Sequence, residues 1–249
     1  MSRKYEVPSL RKSDEILKLI STYPNQLKLI DISHRLAIHK SSMFSLLKTM
    51  EEMNWVEREL GDTYRLGSAF AVFGGAFFRQ FDLISLFHRE AVSMKQLLNE
   101  SIQLGKLEGN EVLYLAKEEA DSPVKLVSEP GMKFPAHATA LGKALLSELD
   151  PEQVVKLYQD EVLLGLTSQT IRNRERLIEV LADVLLQGYA TDLQECVIGF
   201  QCVGVPVRKR SGIIVAAVSC SMPVHHWEAK HLQVIEEMKR LASKLSILA

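Results

Sequence analysis

The sequence predicts two domains: a small, mainly α-helical domain with a two-stranded hairpin, then a larger α+β domain with a central antiparallel sheet. In the first part of the chain, apolar residues recur at steps of three and four, which is typical of amphipathic helices. From residue 101 onward, short alternating segments separated by turn residues favour strands. The 249 residues are enough for two domains of ordinary size.

Composition indicates a globular chain that can form a full core, since 47% of its residues are hydrophobic and 24% are charged. No run of 18 apolar residues and no charged-then-apolar leader is present, which predicts a cytoplasmic protein without a membrane span. The three cysteines, Cys196, Cys202 and Cys220, contain no C-x-x-C spacing, so we expect free thiols.

Charge is distributed unevenly along the chain. The net charge of −1 by itself argues against a nucleic-acid-binding protein. Residues 1–50, however, carry nine Lys or Arg against four Asp or Glu. This local excess suggests an N-terminal domain that faces DNA, attached to an otherwise acidic body.

Three helices are predicted in the first domain, followed by two short strands. The apolar residues expected to face its core are Leu10, Ile16, Leu17 and Ile20, then Leu29, Ile32 and Leu36, then Met43, Leu46, Leu47, Met50 and Met53. We expect Ser41 or Ser42 to cap the third helix. Residues 55–59 and 63–66 alternate like strands and turn through Leu60-Gly61-Asp62.

This order of elements describes a winged helix-turn-helix, in which the outer face of the third helix enters the major groove. Its hydroxyls and Lys48 suit phosphates and base edges. The residues predicted to contact DNA are Arg35, Lys40, Ser41, Ser42, Phe44, Ser45, Lys48, Thr49, Arg58 and Arg65. The alternative is a small helical domain with a solvated face. One such domain buries too little surface for tight binding, so a DNA-binding protein of this kind needs to be a dimer.

We place the domain boundaries at 1–67 for the winged helix, 68–81 for a linker helix and 82–249 for the second domain. The linker, SAFAVFGGAFFRQF, is too short to span a bilayer and too apolar to lie bare in water. We expect this helix to be buried in a dimer, and burial under the second domain of its own chain is the alternative.

In the second domain, segments 101–109 and 111–118 are predicted to pair through Gly109-Asn110, and 123–129 to form a further strand. Helices are expected from Ala136, from Pro151 and over 173–187, the last ending at Gly188. The small residues at the start of the first of these helices leave its main-chain N–H groups open to an anion. Segments 202–208 and 212–221 are two more strands, and a final helix covers 227–248.

With these elements in place, the chain resembles the IclR family of transcriptional regulators over nearly its full length. The resemblance lies in LIDISHRLAIHKSSMFSLLKTMEEMNWVER, YRLG, HATALGKALL, LTSQTI, GYATDLQECVIGFQCVGVPVR and AAVSCSMP. It implies a GAF-like effector-binding domain after the winged helix, and dimers or dimers of dimers on palindromic double-stranded operators. It implies small organic, sugar or aromatic acids as effectors, and favours a repressor.

Two departures from the family pattern affect the DNA-binding domain. The usual glycine of the helix-turn-helix bend is Ala37, which would strain a left-handed backbone by roughly 1 kcal/mol unless the turn shifts. Phe44-Ser45 stands where members often carry His or Tyr followed by Arg, so the commonest guanine reader is missing.

The resemblance also implies which residues bind the effector: Thr139, Ala140, Leu141, Asp192, Phe200, Cys202, Ser219 and Ser221. Main-chain N–H groups of Ala140 and Leu141 would meet a carboxylate, and Phe200 would form an apolar wall. Plainer interpretations stay open. The serines are also ordinary strand residues, Cys202 a small core residue, and Asp192 a turn residue. His137 is either a polar contact at the helix start or a pocket residue, and Lys143 is solvated or salt-bridged.

We expect neither a cofactor nor a metal ion, because His225, His226 and His231 lack the spacing of a complete metal site. An enzyme using Cys202, His137 and Asp192 as nucleophile, base and orienting group is the alternative to a regulator. A third possibility is a protein-interaction module without a small-molecule ligand. We predict a regulator that is not an enzyme.

Overall fold

The computed structural model describes residues 7–79 and 82–246. The chain divides into two compact units, residues 1–80 and 81–249. Within the described ranges, each helix is too short or too polar to cross a membrane. The predicted linker helix ends at positions 80 and 81 and the predicted final helix at 247 and 248, so these ends lie outside the described residues.

The first unit contains four helices and a two-stranded antiparallel sheet. Its elements are α1 (Pro8–Thr22), α2 (Leu29–Arg35), α3 (Lys40–Glu52), β1 (Val56–Arg58), β2 (Tyr64–Leu66) and α4 (Ala69–Arg79). Val56 pairs with Leu66 and Arg58 with Tyr64, which confirms the predicted wing. The predicted mainly helical first domain with its hairpin is therefore confirmed.

The core of this unit lies where α1, α2 and α3 meet the wing. Ile16 and Ile20 of α1 are fully buried, as is Met43 of α3. Two residues predicted to face the core are exposed instead, Leu10 by 63% and Met53 by 47%. Leu10 lies in the first turn of α1 and Met53 at the C-cap of α3, so the helix ends extend past the packed layer.

The turn between α2 and α3 contains one residue with a left-handed backbone, at the position where family members usually carry glycine. Ala37 adopts a φ of 52°, so the strain predicted for this alanine is present. The hydroxyl of Ser33 donates a hydrogen bond to the carbonyl oxygen of Ile38 at 2.6 Å and holds the turn. The predicted cap at Ser41 or Ser42 is wrong, because α3 begins at Lys40 with His39 as its N-cap residue.

The second unit is a six-stranded antiparallel sheet with helices packed on it, as predicted. Its elements are α5 (Asp82–Leu98), β3 (Ser101–Glu108), β4 (Glu111–Glu118), β5 (Lys133–Pro135), a 3-10 turn (Ala136–Ala138), α6 (Ala140–Leu146), α7 (Pro151–Leu157), α8 (Arg174–Gln187), β6 (Ala190–Leu193), β7 (Phe200–Arg208), β8 (Ile214–Pro223) and α9 (Val224–Ser246). The strand order is β5-β4-β3-β8-β7-β6.

The predicted strand at 123–129 is wrong, and the edge strand β5 lies later, at 133–135. The apolar alternation of the earlier segment is overridden by polar contacts. The Lys117 ammonium donates to the carbonyl oxygen of Leu126 at 3.3 Å and to the Glu129 carboxylate at 2.9 Å. These bonds hold the segment across the end of β4 as a loop.

The start of α6 is built from small residues because it packs very closely on its neighbours. A Cβ atom at Gly142 would overlap the main chain of Ala136, and one at Gly204 of β7 would overlap the carbonyl group of Ala140. Thr139 is the N-cap residue, and its hydroxyl oxygen accepts the N–H of Gly142 at 3.0 Å. Close packing thus accounts for part of the small-residue pattern without any ligand.

Candidate functional site

The outer face of α3 is open to solvent along its whole length. All ten residues predicted to contact DNA are exposed: Arg35, Lys40, Ser41, Ser42, Phe44, Ser45, Lys48, Thr49, Arg58 and Arg65. The opposite face of the helix buries Met43, Leu47 and Met50 in the core. We call the exposed side of α3 the recognition face. This face points to solvent because the apolar side of the same helix packs into the core.

The cations around the recognition face differ in how firmly they are held. The Lys48 ammonium is 3.8 Å from the Glu51 carboxylate, a loose pair. In the wing, the Arg65 guanidinium lies 2.8 Å from the carboxylate of Glu57 and 3.0 Å from that of Glu59. These two carboxylates raise the pKa of Arg65, first through the hydrogen bond with Glu57. Arg65 is therefore already engaged, whereas Lys48 is nearly free to meet a phosphate.

The hydroxyls of the recognition face are bonded to their own helix. Ser45 donates to the carbonyl oxygen of Ser41 at 3.2 Å, and Thr49 donates to that of Ser45 at 3.0 Å. Each hydroxyl oxygen keeps its lone pairs as acceptors. These two side chains can therefore accept hydrogen bonds from base amino groups without rearrangement.

A buried cavity lies between the sheet and α6 in the second unit. It brings together seven of the eight residues predicted to bind an effector: Thr139, Ala140, Leu141, Asp192, Cys202, Ser219 and Ser221. Phe200 is not among the lining residues and starts β7 opposite Pro223. The apolar wall is formed instead by Tyr114, Leu126 and Phe134. We call this space the polar cavity.

Three side chains on two adjacent strands form one hydrogen-bonded group inside the polar cavity. The Ser219 hydroxyl donates to Oε1 of Gln103 at 3.1 Å, and Nε2 of Gln103 donates to the Ser221 hydroxyl at 2.7 Å. All three side chains are buried. Ser219 and Ser221 point to the same side of β8, as their spacing predicts.

Gln103 and Ser128 were missed by the sequence reasoning. Gln103 is only 1% exposed on β3, and Ser128 lies in the loop that was predicted as a strand. The sequence contains one signal that Gln103 has a specific role. Its amide side chain lies between the apolar residues Ile102 and Leu104 of the same strand. Such a side chain is buried only when it has partners.

Asp192 ends up buried at the end of β6, where it caps the following turn. Its Oδ1 accepts the main-chain N–H groups of Glu195 at 2.6 Å and Cys196 at 3.3 Å. Burial away from water raises the pKa of Asp192 to about 7, although the Lys143 cation opposes this. Around neutral pH, this buried carboxyl group is therefore partly protonated.

Lys143 proves to be salt-bridged rather than solvated. Its ammonium donates to Oε1 of Glu195, and both side chains are buried. The other carboxylate oxygen of Glu195, Oε2, lacks a hydrogen-bond partner among the described residues. With Asp192, this pair places three ionisable groups together beside the polar cavity.

Comparison with known protein families decides the identity of the chain. The family described as "Bacterial transcriptional regulator IclR C-terminal" covers residues 76–247, and the "IclR helix-turn-helix domain" covers residues 9–60. The chain belongs to the IclR family. It is a transcriptional regulator with an N-terminal winged helix and a C-terminal effector-binding domain, as the sequence motifs indicated.

Individual members resemble this IclR-family regulator over most of their length. The regulator KdgR of Escherichia coli is 28% identical over 221 residues, which span 88% of this chain and 84% of KdgR. The crystal structure of the Thermotoga maritima IclR is 28% identical with a TM-score of 0.80, covering 97% of this chain and 98% of that one. An IclR homolog from Microbacterium hydrocarbonoxydans, solved with 4-hydroxybenzoate, shares the fold at 22% identity and a TM-score of 0.82, covering 96% and 97%.

The three residues of the catalytic alternative are not assembled in this IclR-family regulator. Cys202 and Asp192 line the polar cavity, but His137 lines a different one. Burial, followed by the nearby Asp192 carboxylate, raises the pKa of the Cys202 thiol well above its ordinary value. A thiol in this state is a poor nucleophile.

The histidines near the start of α9 are engaged in other contacts. His226 Nδ1 lies 2.6 Å from the buried Glu100 carboxylate, which also accepts a bond from Lys230 at 2.7 Å. His231 Nδ1 lies 2.9 Å from the carbonyl oxygen of Trp227. Across the described ranges, no three His, Cys, Asp or Glu side chains are grouped as metal ligands.

Proposed function

We propose that this IclR-family regulator is a repressor whose affinity for a palindromic operator is controlled by a small carboxylic acid bound in the polar cavity. The observation that supports this most is the convergence of seven predicted effector residues on one buried cavity. In a related fold, the Microbacterium homolog was solved with an aromatic acid, 4-hydroxybenzoate. The chemistry of the cavity favours the same class of ligand here.

Hydrogen-bond donors for a carboxylate come from two sides of the polar cavity. Ser219 can turn its hydroxyl from Gln103 toward an anion, and Ser221, which accepts a hydrogen bond from Gln103, keeps its own proton to donate. Asp192 in its protonated form is a further donor. The first N–H groups of α6, at Ala140 and Leu141, have no acceptor within the helix and lie on the same cavity. A carboxylate would receive several charge-assisted bonds, each stronger than a neutral one.

The polar cavity is closed in this structure, with a free volume of about 10 Å³. That is room for roughly one water molecule and not for an organic acid. Ligand entry must therefore move a wall. Two lining segments lie outside the sheet and the helices, one with Leu126 and Ser128 and one with Cys196. The first is the wall that we propose to move, because the second is held by hydrogen bonds to Asp192. An acid would bind an open state more tightly, and this difference in affinity is what shifts the conformational equilibrium.

A repressor is proposed because relatives carry that role: the transcriptional repressor AllR of Escherichia coli is 28% identical over 217 residues, which span 86% of this chain and 80% of AllR. An acid that binds more tightly to a state with weaker DNA binding lowers the operator affinity. Coupling of ordinary size, about 1–3 kcal/mol, changes that affinity 5- to 150-fold.

A homodimer, or a dimer of dimers, is proposed for operator binding. The α4 helix carries Val72 and Phe73 with 65% and 56% of their surfaces exposed. Two such apolar side chains on one helix favour burial against a second copy. Two winged helices then read the two halves of a palindrome.

The first experiment measures thermal unfolding and operator binding of the full chain against small organic, sugar and aromatic acids. A ligand at 100 times its Kd adds about 2.7 kcal/mol to the free energy of unfolding. We expect one acid to raise the midpoint and weaken operator binding, and the double variant Ser219→Ala, Ser221→Ala to lose both effects while still binding DNA. Turnover of the acid would support the enzyme, and the absence of any binding would support an interaction module.

A further inference from the structure

One large apolar side chain, that of Phe44, lies on the recognition face. It leaves 59% of its surface in water, although its neighbours in α3, Met43 and Leu46, pack in the core of the first unit. A single exposed apolar side chain is common on protein surfaces. This one belongs to the helix that a helix-turn-helix domain inserts into the major groove, where its ring would meet the edges of bases.

The position of Phe44 within α3 suits contact with bases. Recognition helices contact base edges with their N-terminal residues, and Phe44 is the fifth residue of a helix that begins at Lys40. Lys40 and Lys48 are four positions before and after Phe44, so both flank it on the same side of the helix. Their longer side chains can reach phosphates on either side, which leaves the ring between them to face the bases.

This part of α3 is poor in side chains that read bases through hydrogen bonds. Residues 40–49 contain no Arg, Asn, Gln, Asp or Glu, the residue types that commonly recognise guanine, adenine or cytosine. The hydroxyl protons of Ser45 and Thr49 are donated to carbonyl oxygens of their own helix. The two lysines are the long donors that remain, and lysines also suit phosphates. Selection of a sequence by this helix therefore depends strongly on its apolar side chain.

Thymine is the base that an apolar side chain can recognise in the major groove. Its C5-methyl group projects into that groove, and the other three bases carry no methyl group there. Contact between this methyl group and a phenyl ring removes apolar surface of both from water. A cytosine at the same place would leave the ring without that contact.

We propose that Phe44 determines the operator specificity of this regulator by packing against the C5-methyl group of a thymine in each half-site. The inference rests on the proposed binding of a palindromic operator, and it names the base that each half-site must contain. Recognition is through the methyl group and not through hydrogen bonds. Deoxyuridine, which pairs with adenine as thymine does but lacks the methyl group, therefore distinguishes this contact from all others.

The test first selects duplexes that bind the full chain, in the absence of any acid, from a library with a random central segment. We expect the selected half-sites to share an invariant thymine. Each invariant thymine of one half-site is then replaced by deoxyuridine, one at a time, and affinities are compared at a single salt concentration. At one position the replacement should lower affinity roughly fourfold, the effect of one methyl group that is no longer buried.

Protein variants assign the methyl contact to Phe44. Phe44→Ala should bind thymine and deoxyuridine equally at that position, because the ring is gone. Phe44→Leu keeps an apolar side chain and should keep part of the difference. The control is Leu10→Ala, which truncates an exposed apolar side chain of α1 and should keep the full difference. Because Phe44 is exposed, neither of its variants should lower the thermal midpoint.

Two results would overturn the proposal while leaving operator binding intact. In the first, the selected half-sites contain no invariant thymine, or deoxyuridine is bound as tightly as thymine at every invariant position. In the second, the preference for thymine survives in Phe44→Ala, which would assign the methyl group to another residue. A selection that enriches no duplex at all would contradict operator binding itself, and this proposal with it.

Discussion

Nε2 of Gln103 lies 2.7 Å from the hydroxyl of Ser221 and joins β3 to β8 inside the polar cavity. Replacing Gln103 by Leu keeps the volume of the side chain but removes both of its hydrogen bonds. We expect a loss of about 1–3 kcal/mol in the free energy of unfolding, because two buried hydroxyls lose a partner. We also expect the acid response to disappear. Urea unfolding and operator titrations measure the two effects. Unchanged acid affinity would place the binding site elsewhere.

Asp192 predicts a dependence of stability on pH. Its pKa is raised from 3.8 to about 7, so between these values the folded chain holds a proton that the unfolded chain has lost. The free energy of unfolding should therefore fall as pH rises from about 4 to 7, by up to about 1.4 kcal/mol per pH unit from this group, and level off above. Asp192→Asn removes this slope, and above pH 7 the variant should be the more stable protein.

The measurement is urea unfolding of both proteins from pH 5 to pH 8, taking their difference so that other titrating groups cancel. Parallel curves would mean that Asp192 is ionised throughout this range. The same pair of proteins tests the ligand, since a protonated Asp192 donates to an acid. Acid affinity should decline above pH 7 in the wild type and stay level in the variant.

The buried pair of Lys143 and Glu195 predicts strong non-additivity. Lys143→Met leaves the Glu195 carboxylate buried without its cation, and we expect a loss of about 3–5 kcal/mol. Adding Glu195→Gln to Lys143→Met removes that charge and should restore a large part of the stability. A double variant as unstable as the sum of the two single variants would show that the pair does not interact. The measurement is denaturant unfolding of the wild type, of Lys143→Met, of Glu195→Gln and of the double variant.

DNA contacts should differ between α3 and the wing. Lys48→Ala should weaken binding to all sequences alike and reduce the slope of log affinity against log salt by about 0.9. Arg65→Ala should have a smaller effect, because Glu57 and Glu59 already neutralise that guanidinium. Lys18 of α1, paired with Asp14 at 2.7 Å, provides a control that should leave the slope unchanged. Equal effects of Lys48 and Lys18 would remove α3 from the interface.

Ala37 predicts a stabilising change. At its φ of 52°, glycine escapes the clash of an L side chain, which is worth roughly 1 kcal/mol, although the unfolded chain gains some entropy. Ala37→Gly should therefore be neutral or slightly stabilising, while Ala37→Val should destabilise the first unit. A less stable glycine variant would mean that the turn carries little strain. Thermal unfolding of both variants decides this.

Periodicity was enough to predict which sides of the elements are buried, and it failed at element ends. Alternation in β8 placed Ser219 and Ser221 on one side, and three- and four-residue steps placed Met43 and Leu47 in the core. The same rule misplaced Leu10, because a helix turn that extends beyond its neighbours has nothing to bury against. The segment 123–129 alternates like a strand, yet its contacts with Lys117 decide its path, and local pattern contains no information about them.

In the candidate site, too, local motifs could be read from the sequence, whereas contacts between distant residues could not. Family motifs indicated seven of the cavity residues, but not Gln103, whose role depends on two serines more than a hundred positions away along the chain. Lys143 and Glu195 are 52 positions apart, and only the fold brings their charges together. The conformation of single positions such as Ala37 could be predicted, because backbone sterics are local.

Under the proposed function, the closed state of the polar cavity would also determine how quickly the regulator responds. With room for roughly one water molecule, the cavity would admit an acid only while the Leu126–Ser128 loop, the wall proposed to move, is displaced. The observed association rate should then rise with acid concentration and reach a plateau set by the frequency of loop opening. Pulses of acid shorter than the interval between openings would pass without effect on transcription. Only a sustained rise in acid concentration would be registered.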